Sequence, residues 1–147
     1  MRTLFCGFFL FFTTSCSITH DLKIPKQPCL YPDTDYNFIL CEDFKFKINS
    51  FNFIIPKGFE TDLASIPRIL WPIYSPNKAN TIAAAVIHDY FYLCPVALTR
   101  EQADTIFFDV LIYNGASKLT AFKYWLAVRA FGSSYYHEGA ICNYVNA

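Results

Sequence analysis

Apolar and polar positions along the 147-residue chain change period part-way, and the change divides it into two kinds of structure. From residue 36 the segments "YNFILCE", "FKFKI" and "FNFIIP" are short and rich in Phe and Ile, and "ED" and "NS" interrupt them. In "FKFKI", Phe44, Phe46 and Ile48 point one way and Lys45 and Lys47 the other, the two-residue period of a half-solvated strand. The pattern predicts an antiparallel meander with one wet face. "PKGFETDLASIPRILWPI" then loses all periodicity, because Pro56, Gly58, Pro67 and Pro72 forbid a long element. Three helices follow. The first opens at Ser75 and Pro76 and stops before Pro95. The second opens on a capping box of Thr99 and Gln102 and stops at Asn114 and Gly115. The third spans about 117–132, apolar around most of its girth, and the tail "SSYYHEGAICNYVNA" has no period. The fold class expected is α+β: a small antiparallel β-meander followed by three packed helices, behind an N-terminal signal segment.

That N-terminal segment, "MRTLFCGFFLFFTTS", holds one charge, Arg2, and five of the sixteen phenylalanines. Its apolar run, Leu4 to Phe12, is nine residues long, well short of the ~20 that span a bilayer. One basic residue, a short apolar run and small polar residues together read as a secretory signal over residues 1–15. An N-terminal strand or buried helix is the plainer alternative. The "TTSC" that ends the run resembles the lipobox of bacterial lipoproteins, with Thr13 where a leucine is usual. The resemblance implies that Cys16 becomes the lipid-bearing first residue. It also implies, with Ser17 following, a periplasm-facing anchor in the outer membrane. Ordinary cleavage after Ser15 stays open. Residues 16–35, with three prolines, read as a tether or arm, and 36–147 as a single α+β domain.

Composition narrows the function classes. Lys plus Arg number 12 and Asp plus Glu 12, so no basic surplus argues for nucleic acid. Cys29, Cys41, Cys94 and Cys142 remain once Cys6 and Cys16 are set aside; they allow three pairings, and no CxxC suggests structural zinc.

Three polar features break the local pattern. In "AAAVIHDYFYLC" no Lys, Arg, Glu, Asn or Gln supplies a wet face, so the helix should be buried, yet it carries His88 and Asp89. A buried carboxylate must take a proton or find a cation. Asp104 lies at the edge of the second helix's stripe of Ala103, Phe107, Val110 and Leu111, whereas Asp109 points away. Asp62 and Ser65 sit in the loop "ETDLASIP", where Asp62 also fits an ordinary Asx-turn or helix cap.

Two chemistries suit these groups. Asp62, His88 and Asp89 form a mixed N/O set for a divalent ion such as Zn, Mn, Fe or Mg, with Asp104 as orienter or general base and Ser65 aiding substrate placement. Alternatively the groups form a satisfied network: His88 bonded to Asp62 or Asp104, and Asp89 to Arg68, Arg100 or a tyrosine hydroxyl. Tyr90 and Tyr92 read as core aromatics with a polar tip, and the His137–Glu138 pair as surface. The His-Asp pair is also that of the HD phosphohydrolases, but their upstream histidine and all-helical core are not matched here. Ser65 lacks a G-x-S-x-G elbow.

The stretches "IPKGFETDLASIPRILWP", "AAVIHDYFY", "TREQADTIFFDVL" and "WLAVRAFG" together resemble a small domain family of unknown function that is widespread in phages and prophages. The likeness covers about residues 36–132. It implies the fold outline and a phage-related origin, and no established reaction. Two functional expectations follow. One is an exported lipoprotein acting as a metal-dependent hydrolase on an envelope substrate. The other is a non-catalytic, envelope-anchored binding protein, for example one that alters phage susceptibility, with a polymer or protein partner.

Overall fold

The computed structural model describes residues 20–35, 37–63, 80–94 and 98–137. Among the described residues six short strands precede three helices: β1 (Leu22–Lys23), β2 (Leu30–Thr34), β3 (Asn37–Leu40), β4 (Phe44–Ile48), β5 (Phe51–Ile55), β6 (Glu60–Thr61), α1 (Ile82–Leu93), α2 (Arg100–Tyr113) and α3 (Lys118–Phe131). The α+β class expected from the sequence is the one found. The strands, however, form two antiparallel sheets, ordered β1-β4-β5 and β2-β3-β6, where one meander was expected.

The first sheet is built on the alternation of β4. Phe44, Phe46 and Ile48 are buried and pair with Ile55, Phe53 and Phe51 of β5. Leu22 of β1 joins the same face opposite Ile48. In the second sheet Pro32 lies in β2 at the edge, where its missing N–H breaks no interior ladder. A Cys29–Cys41 disulfide clamps the open end of the β2–β3 hairpin, reinforced by Cys41 N–H donating to the Cys29 carbonyl at 3.0 Å. Cys94 is disulfide-bonded too.

The stretch expected as an irregular arm therefore contributes strands and core. Leu22 and Ile24 are buried, the Ile24 N–H donates to the Tyr113 hydroxyl at 3.4 Å, and His20 Nδ1 meets Asp109 Oδ2 at 2.5 Å. Asp109, expected to point to solvent, is instead largely covered by that contact.

α1 is the central element. Phe91 packs edge-on against Phe46 and Phe53, with centroids 6.1 and 5.3 Å away, and Tyr90 packs edge-on against Phe59 at 5.8 Å. The expected opening of this helix at Ser75 falls outside the described residues; Thr81 is the cap residue of the helix as described. α2 starts on the expected capping box, Thr99 accepting from Gln102 N–H while Gln102 accepts from Thr99 N–H. α3 starts at the Ser117 cap and ends at Gly132, followed by a 3-10 turn, Gly132–Tyr135. α2 packs between α1 and α3.

Candidate functional site

His88 and Asp89 are adjacent, so their side chains leave α1 about 100° apart and serve different neighbours. His88 faces α2. Its Nε2 lies 2.8 Å from Asp104 Oδ1, and both side chains are 0% exposed. Tyr92, one turn after His88 with its ring 4.0 Å away, donates its hydroxyl to the same Oδ1 at 2.5 Å. Arg129 of α3 donates Nη1 to Asp104 Oδ2 at 2.9 Å. One carboxylate thus gathers donors from α1 twice and α3 once, which ties all three helices together.

Burial is the largest influence on Asp104 and works to raise its pKa; the hydrogen bonds and charges of His88, Tyr92 and Arg129 outweigh it and hold the carboxyl below its usual range. An ionised carboxylate only accepts, so His88 Nε2 must carry the proton in this contact. Tyr92 responds oppositely: burial first, then the Asp104 hydrogen bond and charge, push its hydroxyl pKa far up. Arg100 adds a cap, its two terminal nitrogens donating to the Arg129 carbonyl at 3.3 Å each.

Asp89 faces the second sheet. Thr61 of β6 donates its hydroxyl to Asp89 Oδ2 at 2.5 Å and accepts from the Leu63 N–H at 3.1 Å. Leu63 is held at φ +55°, a left-handed conformation costly for a branched side chain. A cleft of about 300 Å³ opens beside this corner. Glu60, Asp62 and Asp89 supply its carboxyl groups, Tyr92 and Tyr135 its aromatic walls, and Asn37 and His137 further polar atoms. No lysine or arginine is among its described lining residues.

The residues singled out in the sequence thus meet in two adjoining groups. His88 and Asp104 share the buried network; Asp62 and Asp89 line the cleft; Tyr92 belongs to both. Of the three residues expected as metal ligands, Asp62 and Asp89 line the cleft, while His88 Nε2 lies against Asp104. Among the described residues no group of three or more His, Cys, Asp or Glu is arranged to hold a metal ion. Asp104, expected as orienter or general base, has no exposed surface and holds His88 Nε2. Ser65 and Cys16 lie outside the described residues. Arg129 and Thr61 were not anticipated, although a lone arginine inside the apolar third helix was a signal of the first.

Residues 38–128 match the family described as "Protein of unknown function (DUF1353)". The chain belongs to the DUF1353 family. Two curated relatives come from Sinorhizobium fredii. This DUF1353 member is 35% identical to the uncharacterized protein y4iH over 96 residues, which are 64% of this chain and 40% of that protein. It is 31% identical to the uncharacterized protein y4jT over 109 residues, 72% of this chain and 32% of that protein. The DUF1353 chain therefore spans well under half the length of either. No solved structure matches it. The matched segment runs from β3 into α3 and contains every member of the network except Arg129.

Proposed function

We propose that this protein is an exported, lipid-anchored binding module of phage or prophage origin, in which the acid–histidine cluster is structural and the carboxylate cleft receives the partner. The observation that carries this reading is the Asp104 carboxylate, which accepts from His88, Tyr92 and Arg129 with no exposed surface. A group so enclosed fixes helices; it does not meet a substrate. The adjoining cleft, whose lining includes the acids Glu60, Asp62 and Asp89, suits an amine or guanidinium group on an envelope protein or polymer. The anchor rests on the "TTSC" segment and Cys16.

The binding step is tested by titrating the full chain with a short lysine- and arginine-bearing peptide and with its acetylated, citrulline-containing counterpart. Selective binding of the cationic peptide, weakened at least tenfold by Glu60→Gln with Asp62→Asn, is expected. Equal binding of both peptides, or none, refutes it. Labelling with a palmitate analogue, lost in Cys16→Ala, tests the anchor separately.

The metal-dependent hydrolase remains a second reading because two of its three expected ligands, Asp62 and Asp89, do line one cleft. Elemental analysis decides between them. About one equivalent of divalent metal, removed by chelator and lost in Asp62→Asn with Asp89→Asn, favours the hydrolase over the module.

A further inference from the structure

The outer side of α3 is the least explained surface of the fold. Leu119, Phe122 and Leu126 recur at three- and four-residue spacing and are 65%, 49% and 51% exposed, with exposed Ala130 continuing the line. Trp125 stands at the margin, its ring stacked on Phe122 at 5.7 Å. Lys118 and Lys123 flank the stripe on its two sides, and the helix sequence KLTAFKYWLAVRAF contains no acidic residue. Its remaining cation, Arg129, is committed to Asp104.

Isolated exposed apolar residues need no explanation, but an aligned row of large ones does. We infer that α3 lies against a phospholipid bilayer, its Leu119–Phe122–Leu126 row entering the headgroup boundary and Lys118 and Lys123 meeting anionic lipid. Two arguments select lipid over a second copy of the chain. The row offers three large apolar side chains on one helix face, against the about 800 Å² and about 20–30 residues a side of a standard protein interface. Its charge is of one sign, so two copies brought face to face would set lysines against lysines, whereas acidic headgroups neutralise them. An apolar row edged by lysines, with an aromatic ring at its margin, is the pattern of helices that lie in the plane of a membrane surface. This inference stands apart from the cleft and does not require the anchor at Cys16.

The test reads α3 itself, so that attachment through the N-terminal segment cannot imitate it. The full chain is bound to vesicles containing phosphatidylglycerol brominated high on the acyl chain, and tryptophan quenching is compared with that of Trp125→Phe, which isolates the Trp125 signal. Strong quenching of Trp125 is expected, lost in Leu119→Ser/Phe122→Ser/Leu126→Ser. Lys118→Glu/Lys123→Glu should lower it severalfold on anionic vesicles and little on neutral ones. These positions face outwards, and circular dichroism is the check that each variant folds. An unquenched Trp125 on a vesicle-bound chain overturns the proposal. So does a concentration-dependent dimer in sedimentation that the triple substitution abolishes, which would assign the stripe to a second copy.

Discussion

Replacing Asp104 with asparagine is the most informative single perturbation of the network. The side chain keeps its shape, and its remaining oxygen still accepts from His88 and Tyr92. The new amide then stands where Oδ2 accepted from Arg129 at 2.9 Å, so donor faces donor. Two hydrogen bonds lose their charge assistance and one is lost outright. Arg129 softens the outcome, because its side chain is 28% exposed and can turn towards water. With hydrogen bonds to charged groups contributing about 1.5–3 kcal/mol and neutral ones about 1, the loss should be about 3–4 kcal/mol. For a domain of this size that lowers Tm by roughly 12–16 °C. Urea unfolding at neutral pH measures it, and a cycle with Arg129→Met should show coupling above about 1 kcal/mol. The pH dependence gives an independent check. The folded-state pKa of Asp104 lies below its unfolded value, so its contribution is complete above the unfolded pKa and disappears as pH falls through the folded one. The wild-type and Asp104→Asn stabilities should therefore converge in acid. A loss under about 1 kcal/mol at neutral pH, or parallel acid curves, would refute the claim that this carboxylate joins the helices.

Three further outcomes are expected. Tyr92 has the opposite sign: its hydroxyl pKa is raised on folding, so stability is full below the unfolded value near 10 and declines as pH climbs from there, a decline that Tyr92→Phe should remove in alkaline melts. Gly132→Ala would place a Cβ 2.9 Å from the Tyr92 hydroxyl oxygen and 3.2 Å from its ring, and because Asp104 holds that hydroxyl the overpacking should cost about 1–3 kcal/mol in chemical denaturation; wild-type stability in this variant would mean that Tyr92 is free to move. Cys29→Ser with Cys41→Ser opens a loop with a sequence separation of 12 and should lower stability by about 3 kcal/mol, with unchanged stability by urea titration showing that the hairpin holds without its clamp.

What could be read from the sequence was local. The Thr99–Gln102 capping box lies within one turn, and α2 begins there. Asp104 announced itself by standing at the edge of an apolar stripe, and it is buried. His88–Asp104 was one of two pairings open to the histidine, since helical angles give a direction but not which neighbour lies along it. Long-range returns were not legible. The two-residue β1 is too short to show a period, and Pro32 argues against a strand until the edge position of β2 is known. Asp109 looked solvated because the contact that covers it comes from His20, 89 residues away. Arg129 and Thr61 were missed for a related reason: one reaches the network with a long flexible side chain, the other through strand pairing that brings Thr61 opposite Phe38.

Tyr92 belongs to both halves of the site: its hydroxyl is held by Asp104, and the residue, almost wholly buried, stands in the lining of the cleft. Were the proposed cleft to hold a ligand, occupancy and rigidity would be linked in both directions. A ligand seated in the cleft beside Tyr92 would raise the free energy of opening the helix layer, and by reciprocity any substitution that loosens the layer would weaken that ligand's hold by the same factor. Melting temperature thus becomes a screen: a library of small candidate ligands can be ranked by thermal shift, with Tyr92→Phe as the variant in which the shift should shrink.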